Sequence, residues 1–385
     1  MLRILISFLI FSHIISPWSY AQDTSNTQTL KMVFVGDIMG HGSQISAAEE
    51  VKDSLYDYSP CFEYIAPILQ EADLAIGNLE LTLPGKGPYT GYPRFRSPDD
   101  LALALRHAGF DLLVTANNHS NDGNKIGVTQ TIKTLRDYYF YQTGTFKNAT
   151  ERSIFYPLIV YKGVFKLAFL NYTYGTNGLP SPKPTVVNLI DEEQIKKDLE
   201  EAKAQNPDFT IVIMHWGNEY QLNENKAQAT LAENMLKWGA DMVIGAHPHV
   251  VQPIKLKEVL RPDSSLHQGL IAYSLGNFVS GQRKKLTDMG LMLEVELSKN
   301  LQTQETQLQT HHFIPVYRHI ETTKTKKKIY RILPVSAFEA TPPSESFMST
   351  GQYNAMLETT KTIRNHLKKF DSQERNVSLP PKILN

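Results

Sequence analysis

The sequence is poor in cysteine and carries no excess of charge of either sign. Among its 385 residues there is one cysteine, Cys61, and the 39 lysine and arginine residues equal the 39 aspartate and glutamate residues in number. One thiol forms no intramolecular disulfide and holds no iron–sulfur cluster or cysteine-rich zinc site. A chain without net charge has no overall basic field for nucleic acid or an anionic membrane surface. Any metal ligands must therefore be histidine, aspartate, asparagine or glutamate.

The chain also lacks an apolar stretch long enough to predict a permanent membrane anchor. Arg3 precedes the short apolar run 4–18, and Ser19 and Ala21 then supply the small residues that precede a cleavage site before Gln22. This pattern is typical of a secretory signal peptide. We predict a signal peptide at 1–21 and an exported mature chain, periplasmic or associated with the cell envelope. Retention of the segment as an anchor is the alternative, which so short a run favours less.

The rest of the chain alternates strand-like and helical segments after a short tether at 22–30. Strands are predicted at 32–35, 74–77, 111–115, 209–214 and 242–245, with helices at 61–70, 101–107, 126–138, 191–204 and 226–238 and a hairpin at 153–170. Strands separated by crossover helices indicate an α/β fold with a parallel sheet. The later strands at 270–273, 291–297 and 313–317 have no convincing helices between them and predict an antiparallel second sheet. A last helix is predicted at 347–370, with a loose tail from Asp371.

Side chains of metal-ligand type follow five of the predicted strands. Ligand sites of open α/β sheets gather beyond the carboxyl ends of the strands, so we expect these side chains at one edge of one sheet. They are, in chain order, Asp37 and His41, then Glu80, then Asn117, Asn118, His119 and Asp122, then His215, and finally His247 and His249.

Each cluster alone also has an ordinary structural interpretation. A single histidine such as His215 is commonly a hydrogen-bonded structural residue, and Glu80 could be a solvated surface carboxylate. His247-Pro248-His249 is more specific, because alternate residues of an extended segment point to the same side and the proline restricts the backbone. The recurrence of ligand-type residues after five strands favours one metal centre over five coincidences.

The chemistry of this set is that of a hard or borderline divalent cation. Carboxylate, amide and imidazole donors without thiolate suit Zn, Mn or Fe. One or two such ions lower the pKa of a water molecule to about 7 and polarise a phosphoryl or carbonyl oxygen. His119 follows the amide ligand and would lie near the leaving group, where it would act as general acid.

The ordered motifs resemble those of the CapA family, which comprises capsule or poly-γ-glutamate synthesis proteins with a calcineurin-like metallophosphatase fold. The resemblance runs from about residue 31 to 280. The motifs that carry it are Gly36-Asp37-Ile38-Met39, Asn78-Leu79-Glu80, Ala116-Asn117-Asn118-His119 with Asp122-Gly123, His215-Trp216-Gly217 with Glu219-Tyr220, Gly245-Ala246-His247-Pro248-His249 and Ser274-Leu275-Gly276-Asn277-Phe278.

The resemblance implies a four-layer α/β/β/α sandwich of the metallophosphatase type at 31–320, followed by a C-terminal strand and helix extension with a loose tail at 321–385. It also implies a centre of one or two divalent ions. By position, the metal ligands would be Asp37, Glu80, Asn118, His215, His247 and His249, and the catalytic residues His119 and Asp122. His41 and Asn117 are further candidates for the metal site or its pocket. The sequence departs from the metallophosphatase pattern at Met39, where that pattern has histidine, and at Glu80, where it has the shorter aspartate.

Five other residues are candidates for substrate binding around the centre. Arg94 or Arg96 could grip a carboxylate or phosphate as a bidentate fork, although surface arginines packed on aromatics are an equal alternative. Trp216 and Tyr220 could form an aromatic wall, with Trp216 as plain core the other interpretation. Asn277 follows a strand and could border the pocket.

Three functions remain open at this stage. The first is an exported metal-dependent hydrolase acting on a phosphoester or amide-type bond of an envelope polymer. The second is a non-catalytic assembly or export factor that binds an anionic polymer such as poly-γ-glutamate in a degenerate metal site, with capsule-synthesis membrane proteins as partners. The third is a structural envelope protein whose metal only stabilises the fold. The full ligand set favours the first two, and neither involves nucleic acid.

Overall fold

A computed structural model of the chain describes residues 26–50 and 55–379. The predicted signal peptide lies outside the described residues. The strands are β1 (Thr27–Ile38), β2 (Leu74–Leu79), β3 (Leu112–Val114), β4 (Tyr141–Thr143), β5 (Thr145–Phe146), β6 (Leu158–Lys162), β7 (Phe165–Thr173), β8 (Val186–Val187), β9 (Phe209–His215), β10 (Met242–Ala246), β11 (Ile254–Leu260), β12 (Leu266–Ala272), β13 (Asn277–Val279), β14 (Met289–Asn300), β15 (Thr306–Thr322), β16 (Lys328–Pro334) and β17 (Gln373–Glu374). The helices are α1 (Gly42–Ala48), α2 (Ser59–Phe62), α3 (Ala66–Gln70), α4 (Asp100–Ala108), α5 (Asn124–Asp137), α6 (Ala149–Phe155), α7 (Glu192–Ala204), α8 (Lys226–Trp238) and α9 (Thr350–Leu367).

Two large mixed sheets form the centre of the protein. The first has the strand order β16-β15-β14-β1-β2-β3-β4, with β13 paired to β1 and β17 to β15. Its strands β1 to β4 are parallel, whereas β14, β15 and β16 add to it in antiparallel fashion. The second has the order β11-β12-β10-β9-β7-β6, with a parallel centre and an antiparallel strand at each edge.

Alternation along the strands separates the protein into four layers. In β1, Met32 and Phe34 point into a core shared with residues of the second sheet, such as Ile211. Val33 of the same strand faces the other way, toward a core with α2, α3 and α4, because successive strand residues point to opposite faces. On the far side, residues of β9 such as Val212 pack against α7 and α8. The predicted α/β/β/α sandwich is confirmed.

The sheet assignment made from the sequence is wrong in one respect. The later strands do not form a separate antiparallel sheet, because β12 pairs with β10 in the second sheet, whereas β14 pairs with β1 in the first sheet and β15 pairs with β14. Residues 27–30, expected in the tether, belong to β1. The hairpin of β6 and β7 is present, but residues 153–155 form the end of α6. The single helix predicted at 61–70 is divided into α2 and α3.

The C-terminal part packs into the same protein core as the rest. Helix α9 contributes Met356 and Ile363 to the core between the sheets, and β16 extends the first sheet. The tail predicted to be loose pairs Gln373–Glu374 with β15, and Val377 is buried. Between residues 26 and 50 and between 55 and 379, no helix combines the length and hydrophobicity needed to cross a membrane.

Candidate metal centre

The ligand-type residues lie together, but they come from two sheets rather than from one edge of one sheet. Asp37 lies in β1 and Glu80 follows β2, both in the first sheet, whereas His215 ends β9 and His247 follows β10 in the second. The prediction that these residues follow the carboxyl ends of strands is therefore confirmed, whereas the prediction that all these strands belong to one sheet is wrong. The two sheets stack with the carboxyl ends of these strands on the same side, so ligands from both converge.

Asp37 is fully buried and accepts hydrogen bonds from both sheets. Its Oδ1 accepts from Asn78 Nδ2 at 2.8 Å, its Oδ2 lies 3.2 Å from His249 Nδ1, and the backbone N–H of His247 lies 3.3 Å from each oxygen. Burial acts to raise the pKa of Asp37, but the hydrogen bond and charge of His249, with the contact from Asn78, outweigh it and lower the pKa. Asp37 is therefore held as a carboxylate.

Glu80 lies in surroundings that do not supply the hydrogen bonds its carboxylate needs. Its side chain is 0% exposed, and neither carboxylate oxygen has a hydrogen-bond partner among the described residues. Burial, followed by the charge of Asp37, raises its pKa well above the ordinary value. A buried carboxylate without donors, next to the second carboxylate of Asp37, is unfavourable for folding unless a cation lies beside it.

His215 and Asn118 meet across the gap between the sheets. Asn78 Nδ2 lies 3.2 Å from His215 Nδ1, and the opposite nitrogen, Nε2, lies 2.8 Å from Asn118 Oδ1 and 3.7 Å from Glu80 Oε1. Burial and the neighbouring histidines lower the pKa of His215 well below its usual value. The imidazole is therefore neutral, which is the form that binds metal.

His247 and His249 converge by a backbone geometry that the sequence interpretation had wrong. The segment is not extended, because His247 has φ 98° and His249 has φ 59°, both in the left-handed region that non-glycine residues rarely adopt. Their ring centroids lie 5.9 Å apart. Burial, then the charge of His249, lowers the pKa of His247 to about 4. Two residues with strained backbone so close together at a sheet end are typical of functional sites.

Three overlapping groups of side chains offer ligand atoms within 4.8 Å of one another. They are Glu80, His215 and His247; Asp37, Glu80 and His249; and Glu219, His247 and His249. The bare Glu80 oxygens and the unpartnered Nδ1 of His247 fit a divalent cation, which would replace the missing hydrogen bonds. Five of the six predicted ligands thus converge, and the sixth, Asn118, places its Oδ1 2.8 Å from His215 Nε2; the roles of all six as ligands stay a prediction.

His119 and Asp122 form a buried pair beside this cluster. His119 Nδ1 donates to Asp122 Oδ2 at 2.6 Å, and the same oxygen accepts the backbone N–H of Phe95 at 2.6 Å. The ring of Phe95 packs edge-on against the imidazole with centroids 4.5 Å apart. Asp122 therefore fixes the ring and its tautomer, and the catalytic role of the pair stays a prediction.

His41 and Asn117 lie near the centre but have other partners. His41 Nδ1 accepts the backbone N–H of Gly281 at 3.1 Å, its ring packs on Phe95, and burial lowers its pKa to about 4. Asn117 donates to Leu79 O at 2.8 Å and accepts from the His119 backbone N–H at 3.1 Å. His41 is absent from the groups of converging carboxylate and imidazole atoms among the described residues, and the pocket role of His41 and Asn117 stays a prediction.

The substrate-binding candidates divide into those near the centre and those away from it. Trp216 has the position of the alternative interpretation, plain core. It is 2% exposed and packs in the outer core, where its Nε1 donates to Tyr273 O at 3.0 Å. Tyr220 packs near His249 with ring centroids 6.0 Å apart, and Asn277 Oδ1 lies 3.1 Å from His249 Nδ1. Arg94 is exposed and Arg96 half-buried on the segment that carries Phe95, and their role stays a prediction.

Three further residues at the centre received no role from the sequence. Asn78 orients Asp37 and His215, as described above. A carboxylate oxygen of Glu219 lies within 4.8 Å of ring nitrogens of His247 and His249. Its position four residues after His215 is the sequence feature that could have identified it. Tyr174 packs its ring 4.5 Å from that of His247. It follows β7, whose parallel pairing with β9 brings its carboxyl end to the same site.

The sequence profile of the bacterial capsule synthesis protein PGA_cap matches residues 31–282. This chain belongs to that family. It is 28% identical over 283 residues to the capsule biosynthesis protein CapA of Bacillus anthracis, covering 71% of this chain and 65% of that protein, so the match spans just under two thirds of this relative's length. It is 27% identical over 300 residues to the PGA biosynthesis protein CapA of Bacillus subtilis (strain 168), covering 74% of this chain and 73% of that protein.

Solved structures are similar to the chain only at a distance. The NAD nucleotidase NadN of Haemophilus influenzae aligns with a TM-score of 0.47 and 10% identity, covering 91% of this chain and 65% of that one. No activity transfers at this level of similarity. The family membership of this PGA_cap protein therefore rests on the sequence profile, and its layered fold on its own strand pairing.

Proposed function

We propose that this PGA_cap family protein is an exported metal-dependent hydrolase with phosphoesterase-like chemistry that acts in the biosynthesis of a capsule or poly-γ-glutamate polymer. The observation that carries the proposal is Glu80, a buried carboxylate with two unpartnered oxygens that lies beside Asp37 and three histidines. The names of the two CapA relatives support the link to capsule and PGA biosynthesis.

The residues that would hold a cation are Asp37, Glu80, Asn118, His215, His247 and His249, with Glu219 as a further donor. A divalent ion in this position supplies Lewis acidity and makes hydroxide available near neutral pH. Asn78 and Asn277 orient the ligand side chains through hydrogen bonds to Asp37 and His249. His119, oriented by Asp122, holds the proton that the leaving group takes from Nε2.

A specific feature favours a non-catalytic polymer assembly factor as the second candidate. Met39 is 1% exposed and brings an apolar side chain where the metallophosphatase pattern has histidine. His41 does not replace the missing imidazole, because its Nδ1 is bound to Gly281. A centre with fewer nitrogen donors could hold an anionic polymer through its cation without cleaving it.

Metal content and hydrolysis of a generic phosphodiester distinguish the two candidates. We expect the reconstituted wild-type chain to retain Mn or Zn and His247→Ala to lose it. His119→Ala should keep the metal and lose about 10²–10⁴-fold in rate, whereas His107→Ala, on the exposed surface of α4, should change neither. Absence of metal from the reconstituted wild type would refute the proposal of a metal-dependent hydrolase. Metal retained without His119-dependent cleavage would favour the assembly factor.

A further inference from the structure

The loop 281–286, between β13 and β14, is fixed against the metal centre at both ends. Asn277 Nδ2 donates to Gln282 Oε1 at 3.0 Å and to Thr287 O at 2.9 Å, while its Oδ1 faces His249. The N–H of Gly281 donates to His41 Nδ1 at 3.1 Å. The loop therefore has a defined position relative to the candidate ligands.

The tip of this loop consists of three consecutive cations, Arg283, Lys284 and Lys285, all exposed. The Lys284 Nζ lies 3.6 Å from the ring centroid of Tyr220, which in turn packs near His249. A cation over an aromatic face is held by a weak electrostatic attraction that leaves its hydrogen-bond donors available. None of the three cations forms an ion pair with a carboxylate in the part of the chain that the structure describes.

We infer that Arg283, Lys284 and Lys285 form a subsite for a second anionic group of the substrate, beside the group that occupies the metal centre. The inference rests on the proposed function for the position of the first group. Tyr220 lies between the two positions. Its ring packs near His249 on one side, and Lys284 Nζ lies over its face. Three adjacent like charges repel one another, and an anion that bridges them removes this repulsion.

The chemistry selects a substrate with repeated anionic groups over a compact monoester. A chain that carries a carboxylate or phosphate on each repeating unit presents one group to the metal centre and the next to the loop. Carboxylates and phosphates would both satisfy lysine and arginine, so the test must compare them.

The test measures the affinity of the Mn-loaded full mature chain by calorimetry. The probes are a short γ-linked glutamate oligomer and a short glycerol phosphate oligomer, with acetate and dimethyl phosphate as single-anion ligands. The variant is Arg283→Ala/Lys284→Ala/Lys285→Ala. The matched control, Lys196→Ala/Lys203→Ala/Lys237→Ala, removes three exposed cations that line a separate groove of about 1050 Å³ at the start of β9.

We expect the loop variant to bind one of the oligomers about tenfold more weakly, with a weaker dependence on salt and unchanged affinity for the single anions and for Mn. The oligomer affected identifies the source of the anion. The control triple variant should match the wild type. Equal losses in both triple variants, an unaffected loop variant, or no binding of either oligomer by the wild type would overturn the inference. Failure of the proposed function shows separately, as absence of metal or of His119-dependent cleavage.

Discussion

Replacing Glu80 by glutamine should change the stability of the protein in opposite directions without and with metal. The two oxygens of Glu80 are buried without donors, and Asp37 adds a second carboxyl group nearby. In the metal-free chain, folding must either bury Glu80 charged without donors or protonate it, because its pKa is raised; the amide of Glu80→Gln removes this cost and can donate to Asp37 without taking up a proton. In the metal-loaded chain, the same amide is a weaker ligand than the carboxylate.

The expected magnitudes follow from the burial of this one side chain. Relief of an unsatisfied buried polar group should raise the free energy of unfolding of the metal-free variant by about 1–2 kcal/mol. The wild type should gain about 2.7 kcal/mol from a divalent ion at a hundredfold excess over its dissociation constant. The variant should lose most of this gain, so the order of the two stabilities reverses when Mn is added.

Urea unfolding of both chains, after chelation and after reconstitution with Mn, measures this reversal. Glu294→Gln is the matched control, because Glu294 is also buried but is paired with Lys31 and Arg375. Removing the charge of Glu294 should lower the free energy of unfolding by about 3 kcal/mol both without and with Mn. If Glu80→Gln destabilises the metal-free chain in the same way, Glu80 serves a structural network and the argument for a cation fails.

Three further predictions address the surroundings of the centre and the remote core. Asn78→Ala should lower metal affinity by about 10–100-fold in a competition titration, since it removes the hydrogen bond that orients Asp37; unchanged affinity would contradict this role. Gly36→Ala should destabilise the chain by about 3 kcal/mol in urea unfolding, because its Cβ would lie 1.9 Å from Gly276 O, and a neutral effect would refute the close approach. Burial lowers the pKa of His319, so the unfolded chain binds a proton that the folded chain does not, and stability should fall as pH drops below about 6.5. His41, His215 and His247 contribute in the same direction, so His319→Gln should remove only part of this fall, and an unchanged pH profile would show that His319 makes no contribution.

The local elements were predictable because their signals are local. Helix α8 has the predicted bounds, since its apolar spacing is regular, Asn225 caps its start and Gly239 ends it. The placement of β12 and β14 in different sheets was not predictable, because an apolar run does not indicate which distant strand it pairs with. The same limit explains why five ligand clusters were assigned to one sheet when they come from two.

The errors within the site have specific causes in backbone geometry. Trp216 directly follows His215, and successive residues at a strand end point to opposite faces, so its outward position follows from the same alternation that brings His215 inward. His247 and His249 converge through positive φ angles that no sequence pattern without glycine indicates. Tyr174 was missed because β7 was interpreted as half of a hairpin rather than as a parallel neighbour of β9.

The segment Tyr273 to Asn277 gives the best account of how two sheets produce one centre. It crosses both ligand-bearing strand ends: Asp37 N donates to Gly276 O at 3.0 Å in the first sheet, and Leu275 N donates to Gly245 O at 3.1 Å in the second.

This close crossing requires a glycine in each ligand strand. A Cβ at Gly36 would lie 1.9 Å from Gly276 O, and one at Gly245 would lie 1.8 Å from Tyr273 O. Asn277 then contacts His249 while pairing with Asp37, so one segment sets the separation of ligands from opposite sheets. The glycines of the first and fifth motifs are therefore explained by backbone contact rather than by metal binding. Because of this contact, a change in the 273–277 segment should move both halves of the centre together.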